Sequence, residues 1–257
     1  MVKSIKNFIV HWIKEYAQNN GIKTLTVGIS GGIDSALTST LCALTGINTI
    51  VVSMPIHQKK IELNNAKNHI NWLTNRYPNV QKELIDLTFL FEEYKKTIPT
   101  KFHSQLHLAN ARARIRMTTL YQIAGSKNGL VVGTGNKVED FGIGFFTKYG
   151  DGGVDISPIA DLNKSEVKKL AEYCEIHPDI ISASPTDGLW EDGRTDEDQI
   201  GATYKELEWA MNYCINTKPT KRQMKVLNIY NKLKKKNKHK TEPIPVCYIP
   251  KNIKINL

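Results

Sequence analysis

The sequence predicts an α/β protein built on a doubly wound, mostly parallel sheet with helices on both faces. Three observations lead there. Short apolar runs alternate with amphipathic helical stretches, turns rich in small residues separate them, and the residues able to do chemistry fall just after the runs. In a parallel sheet those positions are the carboxyl ends of the strands, where ligands bind. The 257 residues, 40% hydrophobic, suffice for a core and read as a single domain over residues 1–257.

The first stretch places Ile5, Phe8, Ile9, Trp12, Ile13 and Tyr16 on one helical face with charges between them. That pattern reads as a packed helix and not as a signal peptide. Residues 25–29 form an apolar run, followed by a Gly-rich turn and a helix over 34–44. A second run, 49–54, stops at Pro55. Residues 61–76 read as a helix with Ile61, Ala66, Ile70 and Leu73 on its apolar face, and 83–87 as a weaker strand. A helix rich in Arg and Ala covers 106–124, and a short buried strand 130–133. Helices over 164–173, 199–216 and 220–235 complete the pattern.

No run of eighteen apolar residues exists, so no membrane-spanning helix is expected. Cys42, Cys174, Cys214 and Cys247 are scattered, without zinc-ligand spacing or a disulfide framework, which suggests a reduced, cytoplasmic protein. The net charge is +10, and much of the excess lies in residues 232–240, KLKKKNKHK. Such a charge suits a polyanionic ligand, and a solvated helix end is the alternative reading of the run.

The segment 28–35, GISGGIDS, leaves a strand and opens a helix. Gly31 and Gly32 let the backbone turn sharply and approach a ligand closely. Backbone N–H groups and the helix N-terminus then face an anion, and the hydroxyls of Ser30 and Ser35 can bond phosphate oxygens. Asp34 adds repulsion to such a nest, and a bridging Mg²⁺ explains it most simply. The lysine of a GxxxxGK[ST] loop is missing, as is a GxGxxG pattern. The plainer alternative is a strand-to-helix turn capped by Asp34.

Residues 131–140, VVGTGNKVED, leave a strand with small residues and present Thr134 and Glu139. Residues 144–153, GFFTKYGDGG, mix aromatic side chains with Lys148, Asp151 and glycines; Asp155 follows. Such a block could be a long surface loop, but exposed aromatics beside glycine and charge are costly without a ligand.

The SGGIDS loop resembles the signature of the N-type ATP pyrophosphatases, which cut ATP between its α- and β-phosphates and adenylate a substrate oxygen. GFFTKYGDGG resembles the bacterial ammonia-dependent NAD synthetases in particular. Five further features agree in order and spacing: residues 110–114 (NARAR), Glu139, Lys164 opening a helix, residues 184–186 (SPT), and His239 with Lys240. The resemblance covers about residues 5–245 and implies an adenine nucleotide alpha hydrolase-like fold.

It further implies that Gly28, Ile29, Ser30, Gly31, Gly32, Ile33, Asp34, Ser35, Thr134, Lys164 and Thr186 hold ATP, the co-substrate. Asp34 and Glu139 would bind Mg²⁺. Arg114, Lys148, Asp155, His239 and Lys240 would contact deamido-NAD. The implied reaction, the last step of NAD biosynthesis, amidates deamido-NAD with ammonia and releases AMP and pyrophosphate through an adenylated intermediate. Lys164 would support the phosphates during adenylation. Asp151 is the candidate proton acceptor for the attacking ammonia, with a turn-forming role before Gly152 as its alternative. The family also implies a homodimer, with no nucleic-acid or membrane partner. Ser53 stands where many members carry Arg, the stretch from Glu139 to Gly144 is one residue longer than in some relatives, and Thr241 replaces an Arg after His239 and Lys240.

Three other readings predict different sequences. A tRNA-modifying pyrophosphatase calls for CxxC pairs or an added RNA-binding domain. A non-catalytic nucleotide sensor would lack one of the two acids. A glutamine-dependent synthetase needs an amidohydrolase domain for which this length leaves no room.

Overall fold

The computed structural model describes residues 1–183, 195–214 and 218–254. In chain order the elements are α1 (Val2–Asn19), β1 (Thr24–Gly28), α2 (Ile33–Leu44), β2 (Asn48–Ser53), α3 (Lys60–Arg76), β3 (Val80–Leu84), α4 (Thr88–Thr97), α5 (Gln105–Ser126) and β4 (Gly129–Val131). A π-helical turn (Lys137–Ile143) follows. Then come α6 (Lys164–Tyr173), α7 (Pro178–Ser182), α8 (Asp196–Ile200), α9 (Tyr204–Met211), α10 (Lys221–Thr241) and α11 (Lys251–Lys254).

Among the described residues the sheet runs β3-β2-β1-β4 with every pairing parallel. Alternation along the strands sends side chains to opposite faces. Leu25, Val27 and Val51 enter one core with Ile13, Leu37, Leu41 and Leu73 from α1, α2 and α3, and with Val167 and Leu170 from α6. Ile50 and Val52 enter a second core with Leu87, Phe91 of α4, and Ile115 and Leu120 of α5. Helices therefore cover both faces, as the sequence predicts. A third apolar cluster joins Val138 and Ile143 of the π turn to Tyr204, Leu207, Val226 and Tyr230 of α9 and α10. It fixes the helical layer that stands over the carboxyl ends of the strands.

The structure corrects several boundaries. The strand expected over 83–87 is Val80–Leu84, an edge strand in which only Val80 is buried. The apolar residues that suggested the later register, Ile85 and Leu87, pack into the second core after the strand has ended. The helix expected over 199–216 is two helices, α8 and α9. Gly201 breaks them with φ +81°, and Thr203 starts α9 with a capping box closed by Glu206. The last long helix runs six residues beyond 235, to Thr241, carrying the lysine run. Cations in a final turn are favoured by the helix dipole. Residues 88–97, given no element from sequence, form α4. No helix among the described residues is long and apolar enough to cross a membrane.

Candidate active site

The Gly-rich loop joins β1 to α2. Gly31 has φ +95°, and a Cβ there would overlap the Glu62 carbonyl oxygen at the start of α3, so only glycine fits this close crossing. The loop hydroxyls bond within the turn. Gly32 N donates to Ser30 Oγ (3.2 Å), Ser30 Oγ and Ser35 Oγ are 3.1 Å apart, and Ser35 Oγ donates to the Gly32 carbonyl (2.9 Å). Gln58 donates to the Ser30 carbonyl (3.2 Å), and Arg116 of α5 donates to Gln58 (3.4 Å) and to the Met54 carbonyl (2.9 Å). A guanidinium from α5 thus reaches the carboxyl end of β2 beside Ser53.

Asp34 lies in the first turn of α2, and Glu139 in the π turn. Lys164, the first residue of α6, puts its ammonium between them, 2.5 Å from Asp34 Oδ2 and 2.9 Å from Glu139 Oε1. All three side chains are less than a fifth exposed. Burial pushes Asp34 upward in pKa, with Lys164 opposing it. Burial acts the same way on Glu139, but Lys164 and the Tyr204 hydroxyl outweigh it and hold the carboxyl below its usual range. Burial works against the Lys164 charge, and the two carboxylates more than offset this, raising the ammonium above its ordinary value.

Residues that sequence reasoning missed organise this group. Asn136 is fully buried; its Oδ1 caps Val138 N and Glu139 N (both 3.1 Å), and its Nδ2 reaches Asp34 Oδ1 (3.4 Å). Tyr204 donates to Glu139 Oε1 (2.5 Å). Glu208, one turn along α9, accepts from Ser165 N (2.8 Å) and Ser165 Oγ (2.7 Å), beside Lys164. The Asp-to-Glu pair was visible as motif; Asn136 caps the π turn that carries Glu139, while Tyr204 and Glu208 come from α9, an element with only a capping signal to mark it. Asp140, next to Glu139, is pushed well up by burial and by the charges of Asp151, Glu139 and Asp34. A Cβ on Gly135 would overlap its carboxylate.

The residues expected at the dinucleotide form a chain of contacts around the 144–153 loop. Arg114 donates from Nε and Nη2 to the Lys148 carbonyl (both 3.3 Å), Lys148 Nζ to the His239 carbonyl (2.5 Å), and Lys240 Nζ to the carbonyls of Gly144 (2.8 Å) and Phe146 (2.6 Å). Asp155 is set apart from them: Oδ1 accepts from the Tyr121 hydroxyl (3.0 Å) and Oδ2 from Val131 N (2.7 Å), bracing β4. Asp151 Oδ1 accepts from Thr147 N (3.0 Å), closing a turn of its own loop. Thr134 lies between β4 and the π turn, half-buried. Thr186 and the rest of 184–186 fall outside the described residues.

A family model described as NAD synthase matches residues 5–243. The NH(3)-dependent NAD(+) synthetase of Methanococcoides burtonii is 39% identical over 207 residues, covering 79% of this chain and 76% of that protein. Among solved structures, the NMN synthetase of Francisella tularensis superposes with a TM-score of 0.86 at 29% identity, over 97% of this chain and 99% of that one. The NH3-dependent NAD synthetase of Campylobacter jejuni superposes with a TM-score of 0.76 at 28% identity, over 96% and 100%. With the family match spanning residues 5–243, nearly the whole chain, and a relative 39% identical over 79% of it, this chain belongs to the NAD synthase family.

Proposed function

We propose that this protein is an ammonia-dependent synthetase that uses ATP to convert the carboxylate of deamido-NAD into the amide of NAD, releasing AMP and pyrophosphate. The observation that carries the reading is the Lys164 ammonium shared by two buried carboxylates beside a Gly-rich loop, in a chain of this family. The donors suit Mg²⁺. A pair of carboxylates beside substrate phosphates is what that ion takes from a protein, and the Lys164 ammonium, bonded to both acids, already marks the spot as one for positive charge. Asp34 and Glu139 would hold it; when bound it supplies neutralisation of phosphate charge.

The carboxylate of the nicotinate ring is a poor electrophile, because its leaving group would be oxide. Its oxygen attacks the α-phosphorus of ATP, and the bond from that phosphorus to the β-phosphate oxygen breaks. Loop N–H groups from residues 28–35 hold the departing pyrophosphate, and Lys164 stabilises the charge that gathers there. Thr134 and Thr186 belong to the same ATP site. Ammonia then attacks the acyl carbon, AMP leaves, and the nitrogen gives up a proton, for which Asp151 is the acceptor we assign. Arg114, Lys148, His239 and Lys240 hold the anionic dinucleotide. Asp155, whose carboxylate braces β4, belongs to the same proposed dinucleotide site.

The superposition on an NMN synthetase supports a second reading, in which the substrate is the mononucleotide of nicotinate. One assay separates them: ATP, Mg²⁺ and ammonium with deamido-NAD in one tube and nicotinate mononucleotide in another. Amide plus AMP in the first supports the main reading, and turnover of the mononucleotide alone replaces it. ADP and phosphate as products would remove the protein from this reaction class. The working unit we propose is a homodimer, with the residue 1–257 chain as one domain per subunit. A cytoplasmic setting belongs to the same proposal, supported by buried free thiols at Cys42 and Cys174.

A further inference from the structure

Tyr204 is not among the residues assigned above to ATP, metal or dinucleotide, yet it stands against the acid pair. The residue is 6% exposed, packed with Leu207, Val226 and Tyr230. Its hydroxyl lies 2.5 Å from Glu139 Oε1 and 3.3 Å from Asp196 Oδ2. A phenol has one proton, so it donates to one acid at a time, and the shorter contact marks Glu139 as the acceptor. The backbone is pinned as well: Tyr204 N donates to Glu197 Oε1 (2.7 Å), and Thr203 and Glu206 close a capping box around the same turn. The Lys164 ammonium rests 5.1 Å from the ring centroid.

This geometry constrains Glu139 from both sides. Glu139 Oε1 receives Tyr204 and Lys164 together. If the ammonium moves off to a phosphate, the tyrosine bond remains and still fixes the carboxylate orientation. The phenol is also held by an element other than the one carrying Glu139, so its position does not depend on the π turn keeping its shape.

We infer that Tyr204 is a positioning residue for the synthetase, orienting Glu139 so that the acid pair accepts a divalent cation together with ATP. The inference rests on the metal role proposed for Asp34 and Glu139. A hydrogen-bond partner behind a metal ligand is commonly worth 10- to 100-fold in metal affinity.

The test uses the full-length protein, α,β-methylene-ATP as an analogue that resists cleavage, and Mn²⁺ as the probe, with free Mn²⁺ read by electron paramagnetic resonance. Tyr204→Phe keeps the ring and its packing and removes only the hydroxyl. Far-UV circular dichroism and a thermal melt establish that it folds. We expect its Mn²⁺ dissociation constant to rise about 10- to 100-fold, with metal-free binding of the nucleotide analogue unchanged. Glu139→Gln should weaken Mn²⁺ binding too, and Tyr204→Phe added to it should cost little more, because the two act through one carboxylate. A folded Tyr204→Phe that binds Mn²⁺ as tightly as the wild type, while Glu139→Gln does not, overturns the inference and leaves the metal reading standing. An undiminished Tyr204→Phe effect in the Glu139→Gln background also overturns it. Wild-type Mn²⁺ binding indifferent to Glu139→Gln overturns the metal reading, and the role of Tyr204 with it.

Discussion

Lys164 Nζ lies 2.5 Å from Asp34 Oδ2, bringing the start of α6 against the start of α2 across 130 residues of chain. The same ammonium serves Glu139. Removing it leaves two buried carboxylates facing each other without a counter-charge. Breaking a buried ion pair from one side typically costs about 3–5 kcal/mol. Lys164→Met should therefore melt well below the wild type without divalent cations. Added Mg²⁺ should recover part of the loss and raise the melting temperature of the variant more than that of the wild type. Calorimetry without Mg²⁺ and across a series of Mg²⁺ concentrations measures this, since the stabilisation grows with the ratio of free ion to its dissociation constant; equal Mg²⁺ responses would contradict it.

Gly31→Ala tests the loop. The new Cβ would overlap the Glu62 carbonyl oxygen, and φ +95° is a conformation that alanine resists. Strain of this kind costs about 1–3 kcal/mol before any steric clash is counted. The backbone must shift away from α3, spoiling the N–H nest. Binding of an ATP analogue should weaken by at least about tenfold, the equivalent of 1.4 kcal/mol. Fluorescence or calorimetric titration reads it, and unchanged affinity would show that the loop does not hold the nucleotide.

His69 makes stability pH-dependent. It is 2% exposed between α3 and α2, with Nε2 3.0 Å from Ser39 Oγ. The single Ser39 proton serves the carbonyls of Ser35 (2.8 Å) and Ala36 (3.1 Å), so Ser39 accepts from His69. Burial lowers the His69 pKa from 6.5 to about 4. The unfolded chain takes up this proton below about pH 6.5, while the folded protein resists until near pH 4. The stabilisation is complete above the unfolded value, drains away as pH falls through this window, and levels off below it. It amounts to about 3 kcal/mol at most, from 1.36 kcal/mol per pH unit. Urea denaturation at pH 7 and pH 4.5 should show a smaller loss in His69→Gln than in the wild type; parallel losses would refute this.

How far the sequence was legible depended on whether a signal was local. The loop at Gly31, Asp34 at a helix start and Lys164 at another are strand–turn–helix and capping features, readable without knowing what they face. The acid pair was legible as motif, and the ammonium joining it emerged only when α6 met α2. β3 was misplaced because an edge strand with one buried residue carries little periodicity, while Ile85 and Leu87 just beyond it do. Tyr204 was hidden within an expected helix over 199–216, since only the Gly201 break turns its hydroxyl into the start of a new helix pointing at Glu139. The longer stretch from Glu139 to Gly144 is wound as a π turn, which holds more residues per turn than an α-helix and recurs at functional sites.

Arg114, Lys148 and Lys240 join α5, the 144–153 loop and the end of α10 through carbonyl contacts. Their hydrogen bonds run to the 144–153 loop and to α10, not to Asp34 or Glu139, so their loss should separate the two substrates. Arg114→Ala and Lys148→Ala should each raise KM for deamido-NAD by about tenfold or more and change KM for ATP by less than about threefold. Steady-state kinetics with each substrate varied in turn decides it. Equal rises for both would place these side chains at the nucleotide loop or assign them a purely structural role.

The groove between α4 and α5 bears on assembly. It has a volume of about 520 Å³ and is lined by Leu90, Tyr94, Ile98, Phe102, Leu108 and Ile115, with Arg114 on its wall. Phe89 is 78% exposed, Phe102 60% and Leu90 52%. Apolar side chains grouped this way mark contact surfaces on soluble proteins. A two-fold pairing would bury the same patch on both subunits and bring Arg114 of each close to the shared surface. Sedimentation at micromolar concentration, about the range in which obligate dimers stay associated, should give twice the 29.0 kDa chain mass. Leu90→Asp with Phe102→Asp, both at exposed positions, should shift the species to monomer while retaining secondary structure. KM for the dinucleotide should rise in that variant, because Arg114 loses its facing surface. A wild-type monomer with full activity at that concentration would rule the arrangement out, and a monomeric variant with unchanged KM would detach assembly from substrate binding.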